Sequence, residues 1–137
     1  MVEHMIHDHS DRLNVSPLTR YQDFLREGKL AYQYDAEAQR AVFHPRVVSP
    51  YGGALEWRVS SGRGLVYATT WISPRNGEPY NVALVQMDEG FRLMSRVAGV
   101  DPREVRIGDR VRVKAVQEED DVLIPVFERE QTGETQP

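Results

Sequence analysis

Between residues 55 and 128 apolar and polar positions alternate in short runs broken by turn residues. Leu55, Trp57 and Val59 alternate with Glu56, Arg58 and Ser60. A repeat of two is what a strand with one buried face requires. Ser61-Gly62-Arg63-Gly64 interrupts the run and reads as a bulge or bend. Residues 65–72 are rich in β-branched and aromatic side chains and predict the continuation. A loop over 73–79 separates it from a strand over 80–87. Asp88-Glu89-Gly90 is a tight turn into a strand over 91–97, and Asp101-Pro102-Arg103-Glu104-Val105 predicts one capped helical turn. In the next strand Val111, Val113 and Ala115 are expected to face inward and Arg110, Arg112 and Lys114 outward. An acidic turn over 117–121 then leads to a closing strand over 122–128.

A three-strand meander, a short helical link and a hairpin make the order of a five-stranded OB-fold barrel, whose helix lies between the third and fourth strands. The segment before it is different. Ser16 or Asn14 can cap a helix that has Pro17 in its first turn. Leu18, Tyr21 and Leu25 share one face of that helix, Phe24 lies beside them, and Gly28 supplies the stop. Residues 30–34 and 40–43 read as two short strands joined by a polar turn over 35–39, and Pro45, Pro50, Gly52 and Gly53 mark an irregular connection. The expected plan is a helix and short-strand segment over 16–54 and a barrel over 55–129. Ends at 1–15 and 130–137 are polar, without periodicity, and are expected to be flexible.

Composition narrows the functional classes. The chain has 137 residues, 40% of them hydrophobic, which suffices for a single core of about 100 residues. It has no apolar run of 18 residues, so no membrane helix is expected, and residues 1–10 lack the apolar stretch of a signal peptide. Cysteine is absent, which excludes disulfides, thiolate metal sites and a cysteine nucleophile. That fits a reducing, cytoplasmic setting. With 21 acidic against 17 basic residues the net charge is −4, which gives no drive toward nucleic acid.

From about residue 21 to residue 129 the chain resembles a known family. Phe24-Leu25-Arg26-Glu27-Gly28-Lys29-Leu30 matches its leading helix, and Phe43-His44-Pro45-Arg46 matches the stretch after its first zinc-ribbon knuckle. Leu55-Glu56-Trp57 and Ser61-Gly62-Arg63-Gly64 match the entry to its barrel. Val82-Ala83-Leu84-Val85 with Asp88-Glu89-Gly90, and Arg106-Ile107-Gly108-Asp109-Arg110-Val111, match later strands. The family is that of acyl-CoA-associated OB-fold proteins that accompany thiolases, catalogued as domain of unknown function thirty-five. No single motif is specific; the order and spacing carry the likeness. The resemblance implies a rubredoxin-like zinc ribbon, a thiolase-like or acyl-CoA hydratase partner, and a helper role toward acyl-CoA.

One departure bears on metal chemistry. The family's ribbon has two Cys-x-x-Cys knuckles, and the four matching positions here are Asp35, Ala38, Ser49 and Gly52. Alanine and glycine offer no ligand atom, and the other two could not complete a tetrahedral zinc site. A metal-free zinc-ribbon remnant is therefore expected, with no zinc and with packing by Tyr32, Tyr34, Val42, Phe43 and Tyr51 in place of metal.

No set of residues reads as catalytic. His4, His7 and His9 form a histidine group in the polar N-terminus, His44 stands alone, and Asp88-Glu89 and Glu118-Glu119-Asp120-Asp121 read as turns. Arg46 and Arg63 lie in proline- or glycine-rich bends, and guanidinium groups suit the phosphates of coenzyme A, so both are candidate CoA or acyl-CoA contacts. Tyr21, Phe24 and Tyr51 are candidate partner-interface residues, a surface through which two copies could also pair. Trp57 and Trp71 read as core or interface anchors. The expected function is a noncatalytic accessory subunit. The alternative is a single-stranded nucleic-acid-binding OB-fold protein. Such binders need a basic groove with exposed aromatics, and this chain clusters only Arg103, Arg106, Arg110 and Arg112.

Overall fold

The computed structural model describes residues 16–130. Apart from Glu130, whose N–H donates to Arg110 O, the expected loose ends and the histidines at 4, 7 and 9 lie outside that range. The helix α1 is Pro17–Arg26. The Ser16 hydroxyl accepts from the Thr19 N–H at 3.1 Å, which satisfies one of the free donors of the first turn. At the other end the Gly28 N–H donates to Leu25 O and the Lys29 N–H to Phe24 O. This is a Schellman closure, with Gly28 at φ 81 as it requires. The helix buries Tyr21 and Leu25. The Gln22 amide pins it to the far hairpin by accepting from Leu123 N at 2.8 Å and donating to Leu123 O at 3.0 Å.

Among the described residues nine strands follow. The first three are β1 (Ala31–Asp35), β2 (Arg40–Val42) and β3 (Leu55–Val59), hydrogen-bonded in the order β2-β1-β3. The others are β4 (Arg63–Ile72), β5 (Tyr80–Met87), β6 (Arg92–Ser95), β7 (Val97–Ala98), β8 (Arg110–Glu119) and β9 (Val122–Arg129). They form a second sheet in the order β6-β5-β4-β8-β9-β7, with a 3-10 helix at Pro102–Glu104. That helix lies between the third and fourth strands of the OB order, as expected.

Several expectations change. Residues 55–59 alternate like a barrel strand, but β3 pairs with β1 along its whole length, Ala31 opposite Val59 and Asp35 opposite Leu55. The second sheet therefore starts at Arg63. The third barrel strand is split into β6 and β7 at Arg96, so the ladder does not close into a ring. The gap is held by the Ser95 hydroxyl donating to Pro125 O, and by the Phe127 N–H donating to Arg96 O at 3.0 Å. Asn81 also bridges it, donating to Thr69 Oγ1 and accepting from the Val97 N–H. Finally, a bulge between Val113 and Ala115 inserts Lys114, so Ala115 leaves the inner face and Val116 replaces it against the core. The acidic run is mostly strand, because the hairpin turns only at Asp120 and Asp121. Their φ values of 52 and 67 suit a two-residue turn.

One core serves both sheets. Phe127, Val66, Val85, Met87 and Val111 fill the OB portion. Leu25, Leu30 and Tyr32 join the same cluster from the helix and first sheet. Phe91 connects the two. Its ring stacks on Tyr32 at 4.8 Å and on Phe43 at 4.9 Å, and Phe43 meets Tyr21 edge-on at 5.5 Å.

Candidate functional site

The ribbon positions carry a polar network. β1 ends at Asp35, which is fully buried, and its carboxylate accepts from Ser49 Oγ at 2.5 Å, Ala38 N at 2.9 Å and Gly53 N at 2.9 Å. Ser49 Oγ in turn accepts from the Tyr51 N–H at 2.9 Å. The Ser49 hydrogen bond, followed by the Ala38 N–H, holds the Asp35 carboxyl below the usual carboxylate range. Gly53 is required by space, since a Cβ there would lie 2.1 Å from Asp35 Oδ1. Two of the four ligand positions thus join the two turns by hydrogen bonds. Zinc does not fit this arrangement: Ala38 and Gly52 offer no donor atom, and Asp35 and Ser49 are committed to each other. Among the described residues no group of three His, Cys, Asp or Glu could hold a metal.

A cleft of about 620 Å³ opens between the end of α1, the link after β3 and strand β8. Leu25, Leu30 and Val113 provide its apolar lining, and Arg26, Lys29, Arg63, Arg112 and Lys114 its cations; among the described residues no carboxylate lines it. The link is fixed by Glu89, whose carboxylate accepts from Ser60 Oγ at 2.8 Å and Ser61 N at 2.7 Å. Gly62 is held in the bend by donating to Ser60 Oγ and accepting from the Val113 N–H. The ladder then sets Arg63 directly opposite Arg112. Like charges in that position repel. Glu130, 3.2 Å from Arg63, and Glu128, 2.9 Å from Arg112, offset the repulsion from outside the cleft.

The candidate residues separate. Arg63 lines the cleft; Arg46 does not. Arg46 is exposed, and its backbone N–H and C=O are both held by the Gln33 side chain. Tyr21 is a correction: it is buried beside Phe43, and burial pushes its phenol pKa up, so it belongs to the core and cannot face a partner. Phe24 is half-buried against Trp57 at 5.4 Å, and Tyr51 is exposed beneath the Arg40 guanidinium at 4.4 Å. Trp71 is 46% exposed, 5.6 Å from Arg103. Of the basic cluster, Arg103, Arg110 and Arg112 are each paired with a carboxylate. Sequence reasoning missed Arg112, Glu89 and the Asp35–Ser49 pair. The first two are visible only through register and a long-range contact, whereas the last was signalled by two polar residues at matched knuckle positions.

A family model described as the ChsH2 C-terminal OB-fold domain matches residues 57–116, from within β3 to within β8. A DUF35 domain-containing scaffold protein of Methanothermobacter thermautotrophicus is 35% identical over 57% of this chain and 67% of its own length. The chain belongs to the DUF35 family. A solved structure titled Ltp2-ChsH2(DUF35) aldolase has 26% identity and a TM-score of 0.68 over 80% of this chain and 91% of that one. It extends the DUF35 likeness from sequence to the OB-fold. A probable enoyl-CoA hydratase alpha subunit of Thermomonospora curvata is 28% identical over 74% of this chain. The chain spans only 34% of that relative's length, so it matches one part of a longer subunit. At the positions matched to the ribbon knuckles this chain carries the hydrogen-bonded Asp35–Ser49 pair.

Proposed function

We propose that the chain is a noncatalytic accessory subunit that docks on an acyl-CoA-processing enzyme, hydratase-like or thiolase-like, and helps hold the acyl-CoA. The observation that carries the reading is the cleft: cations without a lining carboxylate, above an apolar floor, suit an anionic head joined to an apolar chain. The names of the relatives support a hydratase-like enzyme, and the thiolase-like alternative rests on the family resemblance.

The cations are exposed and partly neutralised by their own ion pairs, so the isolated chain should bind weakly. Calorimetry with octanoyl-CoA should give a dissociation constant no tighter than about 100 μM, equivalent to about 5.5 kcal/mol. The complex with a hydratase-like or thiolase-like partner enzyme should bind at least about tenfold tighter. Arg63→Ala with Arg112→Ala should remove most of that gain, and Arg46→Ala should leave it unchanged. Submicromolar binding by the isolated chain, or indifference of the complex to the double substitution, would remove the shared site.

The ribbon is expected to take up no zinc. Elemental analysis of full-length chain with His4, His7 and His9 replaced by alanine should find well under one zinc per chain. Stoichiometric zinc in that variant would overturn the reading of the Asp35 network.

A further inference from the structure

The outer face of β4, β5 and β6 breaks the rule that the solvated face of an antiparallel meander is polar. Along β5 the buried positions are Asn81, Ala83, Val85 and Met87, so the outward ones are Tyr80, Val82, Leu84 and Gln86. Register then builds apolar rows across the strands. Ala68, Leu84 and Met94 form one row, and Thr70 and Val82 form the next. Ile72 faces Tyr80 beyond them. Met94 is 69% exposed and Ile72 39%. A bulge between Val66 and Ala68 adds the half-exposed Tyr67 to the border of this face. Such an exposed apolar surface with a polar border is characteristic of an interaction site.

The charges on this face point to its occupant. From Leu65 to Ile72, Tyr80 to Gln86 and Arg92 to Met94, no outward residue is acidic, in a chain whose net charge is −4. Arg92 lies over the Tyr67 ring at 3.8 Å and bonds Gln86, with no carboxylate partner among the described residues. A second copy, placed symmetrically on this face, would bring cation to cation with no acid from the same face to offset them. A protein surface with an apolar centre edged by carboxylates complements it.

We infer that the β4–β5–β6 face, centred on Leu84 and Met94 and edged by Arg92, is the surface by which this chain docks on its enzyme. The inference rests on the accessory-subunit reading and names its contact. Arg63 lies two residues before Leu65 on the same side of β4, so an enzyme seated here borders the cationic cleft.

Methionine footprinting reads the surface directly, because Met94 is exposed and Met87 is buried. With the full-length chain and an acyl-CoA hydratase-like partner enzyme, peroxide oxidation of Met94 should slow at least about fivefold on mixing, while Met87 stays protected throughout. Met94→Glu, at a site whose side chain already meets water, should weaken association at least about tenfold. Arg92→Glu should weaken it and flatten its dependence on salt, as loss of a cross-interface attraction predicts. Association with Met94 still reactive and Met94→Glu neutral would overturn this contact and leave the accessory role standing. No association of the wild-type chain would overturn both. Concentration-dependent dimerisation abolished by Met94→Glu would assign the face to a second copy. Oligothymidylate binding lost in Arg92→Glu would assign it to nucleic acid.

Discussion

Phe91→Ala should lower the stability of the whole chain by about 3–5 kcal/mol, the usual cost of emptying a large aromatic site in a core. Phe91 is 4% exposed and stacks on both Tyr32 and Phe43, so its ring is the main aromatic link between the ribbon sheet and the OB sheet. Its removal opens a cavity where two elements meet, and neither can close it without shifting the other. The midpoint of thermal unfolding should fall by roughly 10–20 °C for a chain of this size. The wild-type transition should be single, because one hydrophobic cluster spans both sheets. Trp57 lies in β3 and Trp71 in β4, so a Trp71→Phe background isolates a reporter of the ribbon sheet. Its fluorescence transition should coincide with the far-ultraviolet one. Separate transitions, or a Phe91→Ala change below about 1 kcal/mol, would mean that the ribbon folds independently of this contact.

Asp35→Asn should be nearly as damaging although it preserves shape. An amide presents a donor where Ser49 Oγ, Ala38 N and Gly53 N already donate. A buried donor left without an acceptor loses its hydration without compensation. A fall of roughly 5–10 °C in the unfolding midpoint at pH 7 is expected, with faster amide exchange at Ala38 and Gly53. The dependence on pH has a definite sign. The folded carboxyl lies below its unfolded value of 3.8, so the unfolded chain binds the proton more readily. Asp35 therefore contributes fully above the unfolded value, and the contribution is lost as pH falls through the folded value. Asp35→Asn should reduce the acid sensitivity of the wild-type chain below about pH 4. Parallel stability curves for the two proteins from pH 7 to pH 3 would show that the network is not carried by the charge.

These two residues differ in how openly the sequence announced them. Phe91 stood in a strand-like run directly after a glycine turn, and the structure showed its burial. Asp35 was legible only as a failed zinc ligand. Its actual role depends on Ser49 and Gly53, 14 and 18 positions away, meeting it in space. The cleft shows the same limit. Arg63 was visible in its glycine-rich bend, but Arg112 was one of three alternating cations with nothing to distinguish it. Arg46 shared the local signal of Arg63, yet Gln33 holds its backbone outside the cleft lining.

Local chemistry was sufficient to determine the helix with its glycine stop, while the choice of Ser16 over Asn14 as its cap came from the structure. It also determined the strand periods, the order of helix, short strands and OB portion, and the missing metal ligands. Each depends on neighbours a few positions apart, where propensity, capping and alternation act. Only the tertiary structure decided the partner of β3, because alternation sets which face of a strand is buried but not which sheet takes its edge. It also decided the split at Arg96 and the bulges beside Val66 and Val113, which shift register by one residue and exchange faces beyond them. The outward apolar rows of β4, β5 and β6 follow from that register. A strand that is apolar on both sides looks in sequence like one buried on both sides, and only the packing leaves Met94 in water.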